Sequence, residues 1–206
     1  KKYFDLLRVK HYLKNIPVFT PIFFNQTLFT EKFAITLIGF FVVPDILGGY
    51  ILNDIQDAPK DRLHPTKRFR PIADGSIHIL QARVIGGVCL FLSLTLSYLA
   101  GGVSGLLLIL IYFVLNVSYS FGLKNQPLID VIILVSGFNI RVIYGAVLTQ
   151  IPISGWLYLT IWTGAFYMGL GKRRNEIARQ GSMNETRTVL RYYSYSFLDK
   201  NMYVCI

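Results

Sequence analysis

The chain has 206 residues, of which 53% are hydrophobic and 15% aromatic, and it carries a formal net charge of +10. With a mean hydropathy of +0.47, it is too apolar for an ordinary soluble domain and suits a protein that crosses a membrane several times. Two cysteines, Cys89 and Cys205, lie far apart in apolar surroundings, which excludes a disulfide framework or a thiolate metal centre and leaves them as small hydrophobes.

Taken in chain order, the first fifteen residues are basic and amphipathic, with Phe4, Leu6, Leu7, Val9 and Tyr12 set among Lys and Arg. That pattern suits a helix lying at the membrane interface, and there is no signal-peptide core. A spanning helix needs about 20 mostly apolar residues. The expected spans are 16–30, 33–53, 78–100, 103–123, 128–149 and 154–171. The first is weak because it holds Pro17 and Pro21. A seventh helix is expected from about Arg187. The expectation is therefore an all-α, polytopic transmembrane bundle with six to seven spans, one domain over 1–206, cut short at its C-terminus.

Lys and Arg alternate by loop. Five precede the first span, six lie at 60–83, one at 124 and seven between 172 and 200, whereas "AGGVSG" and "TQIPISG" have none. The positive-inside rule places the N-terminus and the basic loops in the cytoplasm. The charge then reflects topology and attraction to anionic lipid. Nucleic acid is excluded as a partner, since no soluble module carries the basic residues.

The most informative stretch is "NDIQDAPKDRLHPTKRFRPIADG", from Asn53 to Gly75. Asn53, Asp54 and Asp57 share one helical face. Two carboxylates and an amide oxygen together suit a hard cation such as Mg²⁺, which is commonly shared with substrate phosphates. Pro59 is expected to break or bend the helix, so that Asp61 folds back to the same centre. Lys60, Arg62, His64, Lys67 and Arg70 follow, and they suit phosphate oxygens. Metal-binding acid beside phosphate-binding base is what a diphosphate leaving group needs. The plainer alternative is a juxtamembrane loop that pairs its own charges.

These residues resemble the signature NDxxDxxxD of the UbiA-type intramembrane prenyltransferase superfamily. Three further stretches, "DRLHPTKRFRPIADG", "YSFGLKNQPLIDVIILVSGFNIRVIYGA" and "GKRRNE", together with the opening "LLRVKHYLKNIPVFTPIFF", are similar to the decaprenyl-phosphate phosphoribosyltransferase branch. The resemblance implies Mg²⁺-dependent transfer of 5-phosphoribose from phosphoribosyl diphosphate to a polyprenyl phosphate at the cytoplasmic face of the inner membrane. By the same resemblance the product would feed cell-wall synthesis. It implies Asn53, Asp54, Asp57 and Asp61 as metal ligands. Asp54, Asp57, Asp61, Lys67 and Arg70 would be catalytic, and Lys14, Asn15, Lys60, Arg62, His64, Tyr119, Lys124, Asp130, Arg141, Lys172, Arg173 and Glu176 would bind substrate. Self-association stays open.

Ring-prenylating members carry a second motif, DxxxD, after span six. Here that stretch reads Lys172-Arg173-Arg174-Asn175-Glu176, with one carboxylate where two are usual. Fewer acids and more bases suit a donor and an acceptor that both bear phosphate. The alternative for this stretch is a plain positive-inside flank. Lys124 either reaches phosphate or only marks the cytoplasmic side. Asp130 is either a metal or ribose ligand or a helix cap. Arg141 lies inside span five, where a charge is costly and points to function; it either lines the cavity or pairs with Asp45. Two other functions remain: prenyl transfer from a diphosphate to a small acceptor, and a cation-coupled transporter. The carboxylates sit at a cytoplasmic mouth rather than at midplane, which counts against the transporter.

Overall fold

The computed structural model describes residues 3, 6, 9–42, 50–179 and 188–205. Its elements are helical: a 3₁₀ segment Val9–Phe19, then α1 (Thr20–Phe24), α2 (Lys32–Val42), α3 (Tyr50–Asp61), α4 (Ile79–Ser120), α5 (Ile129–Thr149), α6 (Gly155–Arg179) and α7 (Tyr195–Val204). Short 3₁₀ turns occupy Lys67–Phe69, Leu123–Asn125 and Thr188–Tyr192. No strand occurs among the described residues.

The expected segment 16–30 is not one α-helix. It begins earlier, as a 3₁₀ helix containing Pro17, and the α-helical part ends at Phe24. Pro17 has no N–H to donate, and Pro21 sits at the start of α1, where no N–H is required. The expected span 33–53 is represented by α2 and α3, with 43–49, including Pro44 and Asp45, outside the described residues.

α4 carries the expected spans three and four. Gly102 interrupts it with φ 60° and ψ −152°, a conformation open to glycine. A Cβ on Gly105 would lie 2.7 Å from the Ser97 carbonyl oxygen, although eight residues of continuous helix would separate these positions by about 12 Å. The chain therefore doubles back at Gly102, and 79–101 and 103–120 form a helical hairpin. The break expected at "AGGVSG" is present.

Among the described residues, two helices, α4 and α5, are long and apolar enough to cross a membrane. Only 17% of the most apolar stretch of α4 is buried. Its surface shows Leu80, Val84, Phe91, Leu96, Leu99 and Val103. A surface of that kind aggregates in water and is stable against lipid tails.

The chain divides into two compact units. One comprises Lys1–Val117 with Arg141–Pro152; the other comprises Ser118–Ile140 with Ile153–Ile206. In the first, Leu6, Ile51, Ala58, Ile72, Ile77 and Ala82 form a core cluster. Gly145 of α5 meets the backbone at Val18 there, where an added Cβ would sit 2.0 Å from the Val18 carbonyl oxygen. In the second, Val131, Val135, Ala165, Leu170, Val189, Leu190, Tyr193 and Leu198 pack together.

Candidate active site

The first unit holds the acidic motif. Contrary to the expected break, α3 runs through Pro59 to Asp61. The turn even continues beyond it, with Arg62 N donating to Ala58 O at 3.1 Å and His64 N to Asp61 O at 3.1 Å. Pro59 lacks only its own donor, and the flanking turns hold the helix. Asp61 thus reaches the motif by periodicity, since seven residues make about two turns.

Asp54 and Asp61 are both buried, 3% and 4% exposed. They converge on one cationic nitrogen: Arg70 Nη1 lies 3.2 Å from Asp54 Oδ1 and 2.6 Å from Asp61 Oδ2. Asn53 Nδ2 donates to Asp57 Oδ2 at 3.0 Å. The loop that delivers Arg70 is anchored from below. Ile72 and Ile77, each 2% exposed, contribute about 1.5–3 kcal/mol apiece by burial. Ile77 N donates to Pro71 O at 2.9 Å and Asp74 N to Arg70 O at 2.9 Å.

The other basic residues divide by role. His64 Nδ1 accepts the backbone N–H groups of Thr66 (3.1 Å) and Lys67 (3.2 Å), so this ring carries its proton on Nε2 and holds the Lys67 turn in place. Arg62 Nε donates to Ala73 O at 3.3 Å and braces the same loop. Lys60 is exposed and Lys67 half-buried. Among the described residues no three His, Cys, Asp or Glu side chains gather as a metal cluster. The donor set still fits Mg²⁺: two buried carboxylates drawn onto one positive centre, with Asp57 between them along α3 and the Asn53 amide bonded to it, leave coordination to be completed by water and substrate oxygens.

The same unit holds a second polar group that the sequence reading only half anticipated. Arg141, 4% exposed, donates from Nε to Asn15 Oδ1 at 2.9 Å and from Nη2 to the Tyr112 hydroxyl at 2.5 Å. Asn15 in turn donates to Phe40 O at 3.0 Å. Arg141 and Asn15, both expected to bind substrate, are therefore partners of each other. Tyr112 was missed, because one tyrosine in an apolar span gives no periodic signal. Asp45, the partner weighed for Arg141, lies outside the described residues. Lys14 is exposed.

In the second unit α6 extends beyond the expected end at 171 to Arg179. Residues 172–176 thus lie on a helix, and positions 173 and 176 are neighbours on its face. Arg173 is fully buried. Its Nη1 lies 2.5 Å from Glu176 Oε2, its Nε 2.5 Å from Asp130 Oδ2, and Nη2 donates to the Tyr119 hydroxyl at 3.3 Å. The Nε–Oδ2 pair is a close charge contact without hydrogen-bond alignment, as both atoms lack a directed partner. Asp130 Oδ1 accepts the Tyr193 hydroxyl at 2.5 Å, and that hydroxyl accepts Leu128 N at 2.7 Å. Four expected substrate ligands, Tyr119, Asp130, Arg173 and Glu176, are thus gathered into one internal network. Lys124 is half-buried in the turn Leu123–Asn125, and Lys172 is exposed.

Burial opposes charge on Arg173, but Glu176, Tyr119 and Asp130 outweigh it and raise its pKa. Burial, then the hydrogen bond to Asp130, pushes the Tyr193 phenol up to about 12. Tyr193 was also missed: nothing in sequence ties position 193 to 130. The expected start of the last helix at Arg187 lies outside the described residues. α7 itself begins at Tyr195, where Ser194 Oγ caps it by accepting Phe197 N at 3.1 Å.

The profile of the UbiA prenyltransferase family matches residues 16–181. Decaprenyl-phosphate phosphoribosyltransferase from Mycolicibacterium smegmatis is 38% identical over 153 residues, covering 72% of this chain and 47% of that protein. The protein of that name from Corynebacterium glutamicum is 37% identical over 179 residues, covering 83% and 53%. The chain spans about half the length of the curated relatives it matches. A solved structure of a UbiA homolog from Archaeoglobus fulgidus bound to GPP and Mg²⁺ is similar over the whole chain and 74% of its own, with a TM-score of 0.76 at 19% identity. A structure concerning digeranylgeranylglyceryl phosphate synthase in membranes gives 0.76 at 20%, again over the whole chain and 71% of its own. This is an integral membrane protein with an all-α fold, and the chain belongs to the UbiA prenyltransferase family.

Proposed function

We propose that the protein transfers 5-phosphoribose from phosphoribosyl diphosphate to a polyprenyl phosphate, with decaprenyl phosphate the acceptor suggested by the relatives. Their names carry the reading, at 37–38% identity over most of this chain. The geometry supports it at one point: Arg173 engages both Asp130 and Glu176, so the second unit offers a charge-paired network where ring-prenylating members carry a second pair of aspartates.

The chemistry is displacement at the anomeric carbon. The bond from that carbon to the diphosphate breaks, and a bond to the acceptor's phosphate oxygen forms. The acceptor oxygen is already ionised, so no strong general base is needed. Asp54 and Asp57, with Asn53 and Asp61, would hold Mg²⁺, which when bound neutralises charge on the departing diphosphate. Lys67 and Arg70 contribute positive charge to the same oxygens. With no metal bound, Asp61 engages Arg70, and His64 keeps Lys67 on its turn. The apolar helices give the acceptor's tail a surface continuous with lipid. The two units are read as parts of one domain with six to seven spans, and loop charges put its N-terminus and site on the cytoplasmic side.

Prenyl transfer to a small acceptor is the second reading, favoured by the fold shared with a homolog bound to GPP and Mg²⁺. The test is the full-length protein in membranes, given Mg²⁺, polyprenyl phosphate and labelled phosphoribosyl diphosphate. Label in the organic phase that disappears in Asp54→Ala and Asp57→Ala supports the proposal. Absence of lipid-linked label, with product instead from a prenyl diphosphate and an aromatic acid, replaces it with the second reading.

A further inference from the structure

Each unit contains one arginine set between two carboxylates, and the two differ in a way that bears on function. Arg173, between Asp130 and Glu176, has no exposed side-chain surface. Arg70, between Asp54 and Asp61, has a 27% exposed side chain. Arg173 cannot leave without burying unpaired charge. Arg70 can be exchanged for another cation, because its guanidinium already borders solvent, while the two buried carboxylates still require a positive partner.

We propose that Arg70 is an exchangeable counter-ion of the metal motif: it neutralises Asp54 and Asp61 when no metal is bound, and it is released onto the diphosphate when metal arrives. This rests on the reading of Asp54 and its neighbours as the metal site. The oxygens that would take a divalent cation are the ones Arg70 now engages, Asp54 Oδ1 and Asp61 Oδ2. Both cannot be served fully at once, because two positive groups within about 4 Å repel each other strongly in a partly buried site. Displacement costs little in backbone terms. Arg70 lies just after the short turn Lys67–Phe69 with extended φ/ψ, −67° and 141°, and its loop is held independently by Ile72, Ile77 and the Pro71 carbonyl. A long side chain on an anchored loop can swing without unfolding it.

The consequence is that metal alone binds weakly, while metal and diphosphate bind together. Metal takes the carboxylates, Arg70 is freed, and the freed guanidinium finds the diphosphate's oxygens as its new partner. Two ligands that each favour the same position of one side chain are coupled, and the coupling is reciprocal.

The experiment measures Mn²⁺ binding to the full-length protein in nanodiscs by electron paramagnetic resonance. It is run with and without methylenediphosphonate, corrected for metal chelated in solution. The wild type, Arg70→Gln, Arg70→Lys and Asp54→Asn are compared. In the wild type, methylenediphosphonate is expected to tighten Mn²⁺ roughly tenfold, within the usual range of coupling between two sites. Arg70→Gln is expected to bind Mn²⁺ alone roughly tenfold more tightly than wild type, with the diphosphonate effect largely lost. Arg70→Lys, which keeps the charge but not the fork, falls between them and guards against a folding artefact. Mn²⁺ binding that Asp54→Asn abolishes but that Arg70→Gln leaves unchanged or weakens overturns the exchange and keeps the metal site. Binding indifferent to Asp54→Asn, or none in any form, overturns both.

Discussion

Replacing Arg173 with Met separates a buried hub from a substrate contact. The guanidinium is fully buried and meets two carboxylates at 2.5 Å. Asp130 is likewise fully buried, so Arg173→Met leaves a charge with no cation and no water. Breaking a buried pair from one side costs about 3–5 kcal/mol. Asp130→Asn in the same background removes the stranded charge, and the double variant should recover at least about half of that loss, because pairs that share a network are not additive. The two native cysteines provide the assay. Cys205 is partly buried against the core of the second unit, and Cys89 lies in the first. Thiol labelling that requires opening should accelerate at Cys205 by about 150-fold for 3 kcal/mol, at a tenfold change per 1.4 kcal/mol, and far less at Cys89. If Arg173→Met labels Cys205 within about threefold of wild type while transferase activity disappears, a loss of under about 0.7 kcal/mol, the hub account is wrong and Arg173 acts on substrate.

Other outcomes follow from the same geometry. Tyr193→Phe removes the hydroxyl that joins Asp130 to Leu128 N and should cost about 1–3 kcal/mol by urea unfolding in mild detergent, since a buried acceptor and donor lose their partner. The phenol's pKa is raised from 10.0 to about 12, so its contribution to stability is complete below pH 10 and is lost as pH rises towards 12. A wild-type loss of stability across that window, diminished in Tyr193→Phe, is the expected result. Gly145→Ala places a methyl group 2.0 Å from the Val18 carbonyl oxygen, and it should lower the unfolding free energy by at least about 1–3 kcal/mol through overpacking. Gly102→Ala forces a side chain onto φ 60°, ψ −152°, at about 1–3 kcal/mol, and should weaken the hairpin of 79–101 with 103–120.

The sequence shows the helices well where apolarity is continuous. The start of α5 is expected within a residue of Ile129 and its end at Thr149, and the reversal at "AGGVSG" is found at Gly102. It is less informative where a rule is local and the packing is not. Pro17 and Pro21 signal a weak span without showing that a 3₁₀ helix would precede a short α-helix. Pro59 reads as a break, yet a proline removes only one donor, and the turns on either side carry α3 to Asp61.

At the site, spacing puts Asn53, Asp54 and Asp57 on one helix face, whereas Asp61, expected to fold back, joins them along α3. It cannot show that Arg70 reaches back to two of them, because that contact depends on how Ile72 and Ile77 seat the loop. Stopping α6 at 171 hid the pairing of Arg173 with Glu176, since positions three apart face each other only on a helix. Tyr112 is one polar tip in an apolar run and Tyr193 one of several tyrosines in a mixed stretch, so neither stands out in pattern.

The most direct measurement offers both donors at once. Full-length protein in membranes would receive Mg²⁺, polyprenyl phosphate and an aromatic acid, with phosphoribosyl diphosphate and a prenyl diphosphate carrying different labels. The account predicts that only the phosphoribosyl label enters the lipid fraction, and that Asp54→Ala abolishes it. Prenyl label on the aromatic acid, with no phosphoribosyl label in lipid, would contradict it.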